Sequence, residues 1–168
     1  MSLRRAALGV LLVAGCAVVA GCGSNSGPPQ GKAPAWRTLH LAMPAELAGY
    51  ATAEERQAEA KLRQGGDASL LEGGAFWSLR RGTRLFATLE VGLLRATADI
   101  GDEQVRRGIV NQVGEQSRTQ TVNGQTVYAS TGDRQLIFVW FKGRAMHVLL
   151  THDVSDPATL LAAAVRLP

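Results

Sequence analysis

Apolar and polar residues alternate from Trp36 to Met43, with Leu39, Leu41 and Met43 on one side and His40 and Ala42 on the other. That is the pattern of a half-buried strand, which Pro44 ends. Thr52 followed by Glu55 has capping-box spacing and predicts a helix over Ala53 to Gln64, stopped at Gly65-Gly66. Leu62 is its only large apolar residue, which places it on the outside. Ala75 to Leu93 reads as a hairpin turning at Arg81-Gly82, whose second strand aligns Leu85, Ala87, Leu89, Val91 and Leu93 on one face. Asp102 then caps a predicted helix to Val113, with Val105, Ile109 and Val113 at four-residue spacing and Gly114 as a left-handed stop.

Asn123-Gly124 between alternating stretches is a strong hairpin signal and pairs strands 117–122 and 125–130. Gly132-Asp133 makes the next turn, and Leu136 to Phe141 pairs with Ala145 to His152 around Lys142-Gly143. Both faces of that last pair are apolar, so it belongs inside the sheet. Asp156 as N-cap and Pro157 at N1 open a final helix to Leu167, with Leu160, Ala164 and Leu167 turned to the sheet. The order implies an α+β fold: a mainly antiparallel sheet ending in a four-stranded meander, packed by two or three helices, with no parallel crossover demanded by the pattern.

Residues 1–21 have a different character. Arg4 and Arg5 precede fourteen uncharged residues, Ala6 to Val19, shorter than the roughly 20 apolar residues of a membrane-spanning helix but right for a signal peptide. Val19-Ala20-Gly21-Cys22 closes the run and resembles a bacterial lipobox. The resemblance implies that Cys22 is acylated and becomes the first residue of the mature chain. Val13-Ala14-Gly15-Cys16 repeats the pattern, but its use would leave only Ala6 to Leu12 as apolar segment and put Ala17 to Ala20 in the tether. Cys22 is therefore preferred; an ordinary secreted protein or an uncleaved anchor are the other readings. Two acyl chains hold firmly where one holds marginally, since each buried methylene contributes about 0.8 kcal/mol. Residues 22–34 are rich in Gly, Ser and Pro and form a tether, leaving 35–168 as a single domain.

Composition narrows the partners. Loss of Arg4 and Arg5 leaves 16 basic residues against 14 acidic ones, a net charge of +2, and no basic stripe suited to nucleic acid. Both cysteines fall in the first 22 residues, so the domain has no thiol for a disulfide, thiolate catalysis or a Cys-based metal site. The Arg-over-Lys bias resembles a high-GC, actinobacterial genome. The opening strand and the meander closed by a terminal helix loosely resemble the PsbP-like fold, which would imply binding or assembly roles and carries no catalytic residues onto this chain.

Candidate chemistry is sparse. His152 with Asp153 and Asp133 is the best polar cluster, while His147 reads as a core histidine on the opposite side of the sheet. With the turn at Lys142-Gly143, Phe138 faces His147, Asp133 faces His152 and Trp140 faces Ala145; Trp77 is expected opposite Phe86. Arg80, Arg81 and Arg84 gather at a hairpin tip and would suit anionic headgroups or an acidic partner. No nucleophile elbow, metal-binding helix or phosphate loop is present, and no cofactor or metal is expected. These features favour a lipid-anchored, non-enzymatic interaction or accessory module on the outer side of the cell membrane. The competing expectation is a carrier or sensor of a lipid or apolar small molecule, needing a cavity of roughly 300 Å³ or more.

Overall fold

The computed structural model describes residues 35–64, 70–114, 116–132 and 135–168. In chain order its elements are β1 (Arg37–Thr38), β2 (Glu46–Leu47), β3 (Tyr50–Glu54), α1 (Arg56–Gln64), β4 (Leu71–Arg81) and β5 (Arg84–Leu94). There follow α2 (Glu103–Val113), β6 (Arg118–Val122), β7 (Gln125–Gly132), β8 (Gln135–Lys142), β9 (Ala145–His152) and α3 (Pro157–Ala164). Among the described residues the strands form one sheet ordered β2-β3-β4-β5-β9-β8-β7-β6, with β1 beside β4. The fold is α+β with a mostly antiparallel sheet.

Burial on both faces explains why strand character runs so long in the middle. One face packs Ala75, Trp77, Leu79, Leu89, Trp140 and Leu149 under Leu160, Leu161 and Ala164 of α3. The other packs Leu71, Leu94, Tyr128, Val139 and Val148 under Ile109 and Val110 of α2. β9, paired on either side by β5 and β8, is interior, as its two apolar faces require.

The opening strand is much shorter than its alternation suggests. Only Arg37 and Thr38 pair, and they run parallel to β4 against Gly73 and Gly74. Gly73 permits this approach, because a β-carbon there would sit 2.3 Å from the Arg37 carbonyl oxygen. Beyond it, Leu39, Leu41 and Met43 still pack on the core while His40 and Ala42 stay exposed. The alternation therefore reports burial, not sheet pairing.

Thr52 and Glu55 do not form a capping box. Residues Thr52 to Glu54 belong to β3, paired with Leu79 to Trp77 of β4, and the Thr52 hydroxyl donates to the Pro44 carbonyl. A vacant edge of β4 outcompetes a local cap. The helix begins three residues later, at Arg56, where the Glu55 carbonyl accepts from the Ala58 and Glu59 amides. Its Arg56, Gln57, Ala60 and Lys61 face outward. The expected stop at Gly65-Gly66 lies outside the described residues.

Two turns fall one residue later than expected. The β4–β5 turn is Gly82-Thr83, and Phe86 is an extra residue between the pairs Leu79–Ala87 and Arg80–Leu85. The later turn and this bulge together put Trp77 opposite Leu89 instead of Phe86, and leave Leu85 half-buried beside the fully buried Ala87 and Leu89. The β8–β9 turn is Gly143-Arg144, with positive φ (54°) at Gly143, so Trp140 pairs with His147 and Phe138 with Leu149. Gly114 is also corrected: its φ of −163° is extended, and what it supplies is room, since a β-carbon would lie 2.1 Å from Ser130 Oγ.

The caps of the other two helices match the sequence reading. Asp102 accepts from the Gln104 amide at 2.7 Å and Asp156 from the Thr159 amide at 3.0 Å, each satisfying a free amide of a first turn. Asn123 and Gly124, with φ of 50° and 78°, make the two-residue turn their sequence predicts. α3 stops at Ala164, short of Leu167.

Candidate functional site

The tip of the β4–β5 hairpin gathers the three predicted arginines, but it does not present three free charges. Arg80 meets Glu55 at 3.3 Å and donates through Nε to Ser78 Oγ. Arg84 is paired with Asp153. Both pairs are largely exposed, so each offsets charge more than it adds stability. Arg81 differs. Its guanidinium lies 4.4 Å from the centre of the Tyr50 ring and donates to the Gly49 carbonyl, and no carboxylate among the described residues pairs with it. Tyr50 in turn contacts Phe86, ring centres 5.4 Å apart, and Phe86 also lies under Arg84 at 5.0 Å. Arg81 and Arg84 thus stand on an aromatic base that limits their rotamers. The sequence places the cations at this tip; it gives no sign of the β2–β3 turn at Ala48-Gly49 that brings Tyr50 to them.

His152 and Asp153 are adjacent in sequence and committed to different partners. Gln135 Nε2 lies 3.0 Å from His152 Nδ1, while the Asp153 carboxylate belongs to Arg84. A φ of 59° at Asp153 turns the chain sharply between them. Burial holds the His152 imidazole below its usual pKa. Asp133, expected opposite His152, lies outside the described residues; Gln135 occupies the position facing His152. Among the described residues no ion pair joins His152 to an acid, and no group of three His, Asp or Glu side chains could hold a metal.

The most unusual buried chemistry is a stacked pair the sequence reading did not join. His147, 1% exposed, lies parallel to Trp140 with ring centres 5.0 Å apart and planes 14° from parallel. Neither His147 nitrogen, nor Trp140 Nε1, makes a hydrogen bond. Burial, helped by the Lys142 charge, pushes the His147 pKa down to about 4, against nearby backbone oxygens of Pro168 and Ala145. The adjoining space, bounded by Leu41, Met43, Leu89, Val91, Leu167 and Pro168, is partly open and has no room for a water molecule. It falls short of the cavity a carrier needs.

A third polar group ties α2 to the sheet. Tyr128 donates to Glu103 Oε2 at 2.8 Å, Arg106 meets the same oxygen at 2.8 Å, and Arg106 Nη1 donates to the Ile100 carbonyl at 2.7 Å. These bonds hold the Glu103 carboxyl below its ordinary pKa, and burial raises that of Tyr128. Every member is satisfied by another, which suits a strut better than a reactive site.

Val19, Ala20, Gly21 and Cys22 lie outside the described residues, as does the tether. Among the described residues no helix is long and apolar enough to cross a membrane. No protein-family model, curated protein or solved structure gives a significant match to the chain.

Proposed function

We propose that this chain is a lipid-anchored envelope protein whose single domain, residues 35–168, is a non-enzymatic interaction or accessory module at the extracytoplasmic face of the cell membrane. The observation that carries the proposal is Cys22 directly after Val19-Ala20-Gly21, behind an apolar run of signal-peptide length. Thioether and amide acylation of Cys22 would supply the membrane affinity, so the domain needs no insertion surface of its own. The Gly, Ser and Pro residues of the tether keep it close to the bilayer without fixing its orientation. The last four strands are read as one meander closed by α3, a scaffold presenting loops and edges. The polar groups around Glu103 are engaged with one another, which favours a structural over a catalytic part for that cluster. Neither nucleic acid nor a cofactor enters this reading.

The test is acylation in a bacterium with a comparable envelope. Metabolic labelling with an alkyne fatty acid should mark the full chain and place it in the membrane fraction. Cys22→Ser should lose both label and membrane association, whereas Cys16→Ser should lose neither. Label retained in Cys22→Ser, or lost in Cys16→Ser, would overturn the assignment.

A further inference from the structure

The two edges of the sheet are treated very differently. At one end β2 has two residues and β1 two, Pro44 interrupts the segment between them, and Glu59 of α1 accepts from Trp36 Nε1 and Thr38 Oγ1 across that edge. Those are devices that keep an edge from pairing. At the other end β6, Arg-Thr-Gln-Thr-Val, has no proline, no bulge in its ladder with β7, and one charged residue. Four of its five residues are exposed, and nothing among the described residues pairs with its outer side.

The backbone of that edge can be assigned. A two-residue turn at Asn123-Gly124 makes Val122 and Gln125 the closing hydrogen-bonded pair. Counting back by twos, Gln120 and Arg118 also turn their amides and carbonyls toward β7, while Thr119 and Thr121 turn theirs outward. We propose that β6 is a self-pairing edge, at which two copies of this chain join antiparallel about a two-fold axis through Gln120, extending the sheet across the dimer.

The register follows from the strand itself. Centring on Gln120 places Thr119 of each copy opposite Thr121 of the other, so the outward backbone groups meet in two hydrogen-bonded pairs. Gln120 meets its own copy in a non-hydrogen-bonded pair, and Arg118 meets Val122. On the α2 side this makes a continuous row of Thr126, Thr121, Thr119 and Tyr128 across the axis, an arrangement of β-branched and aromatic neighbours that favours pairing. The two Arg118 positions lie four residues apart along the strands, about 13 Å, beyond the Debye length at physiological salt. Asn123 binds the Ala162 carbonyl at 3.0 Å, which puts the end of α3 three positions from the axis. The two copies of α3 are therefore separated by about 20 Å and do not compete for space. Five residue pairs bury much less than the roughly 1,200 Å² of a stable interface, so the dimer is weak and concentration-dependent. The inference does not depend on Cys22.

Disulfide trapping reads the register directly, because a non-hydrogen-bonded pair has Cα atoms about 4.5 Å apart, within the range of roughly 4.4 to 6.8 Å that a disulfide spans. The full chain carrying Cys16→Ser and Cys22→Ser is purified in mild detergent and oxidised with Gln120→Cys or, as an exposed control, Gln112→Cys. Covalent dimer should form at least about tenfold faster with the cysteine at 120, and adding Thr121→Pro, which removes an outward amide only, should cut that rate about tenfold. Circular dichroism and a cooperative melt check that the proline variant is folded. A fold-neutral second variant pair, Gln120→Lys and Gln120→Glu, should be monomeric separately and dimerise when mixed. Equal trapping at 112 and 120, trapping that survives Thr121→Pro in the folded variant, or no pairing of the charge-reversed mixture would overturn self-pairing; the last two together would leave the edge to a foreign strand.

Discussion

At the scale of single residues, His147 is where burial and chemistry disagree most. Its ring is enclosed, stacked on Trp140 and without a hydrogen bond, so protonation in the folded state carries a desolvation cost that the nearby backbone oxygens of Pro168 and Ala145 offset only in part. Its pKa is pushed down to about 4, whereas the unfolded chain titrates near 6.5. Between those values the unfolded state binds more protons, so stability is present above pH 6.5 and is lost as pH falls toward 4. The full loss is roughly 3 kcal/mol. His147→Phe keeps an aromatic on Trp140 and gives up no hydrogen bond. Urea unfolding from pH 7.5 to 4 should show a steep decline for the native chain and a shallower one for the variant. Parallel curves would mean that other groups carry the acid sensitivity.

At the scale of elements, the sequence is most legible where one short-range rule is sufficient. Asp102, Asp156-Pro157 and Asn123-Gly124 act within a turn of their own position, and each is found doing what its chemistry dictates. The failures share a cause. Thr52-x-x-Glu55 is an adequate cap that loses to pairing with β4, and the Phe86 bulge and the Gly143-Arg144 turn depend on partners distant in sequence. The slip at Lys142-Gly143 hid the Trp140–His147 stack, since it set Phe138 across from His147. Ala48-Gly49 carries no strong turn signal, which hid the ring under Arg81. Gly73 shows how one position can decide an element. A β-carbon there would overlap the Arg37 carbonyl, a backbone atom that no rotamer change moves aside. Gly73→Ala should lift β1 off β4 at a cost of about 1–3 kcal/mol and make the segment from Trp36 to Pro44 a preferred site of proteolysis. A cleavage pattern unchanged from the native chain would show that packing of Leu39, Leu41 and Met43 holds this segment without β1.

At the scale of the whole molecule, the two faces of one sheet set a gradient of stability from centre to edge. β5, β9 and β8 carry Leu89, Leu149 and Trp140 at essentially zero exposure, with helices α3 and α2 on opposite sides. β6 has one half-buried residue and four exposed ones, and β1 has none buried. Opening of the outer strands therefore exposes little apolar surface, while opening the centre exposes both cores at once. In dilute solution, hydrogen exchange should be slowest at Leu89, Val91, Val148 and Leu149, approaching the global unfolding rate, and fast at Arg37, Thr119 and Thr121. Thr119 and Thr121 should exchange faster than Gln120, whose amide turns toward β7. Equal protection of all three would contradict the assigned edge, and fast exchange at Leu149 would contradict a central position for β9. A fold graded in this way keeps its core intact while its far edge and the Arg81 hairpin tip remain exposed.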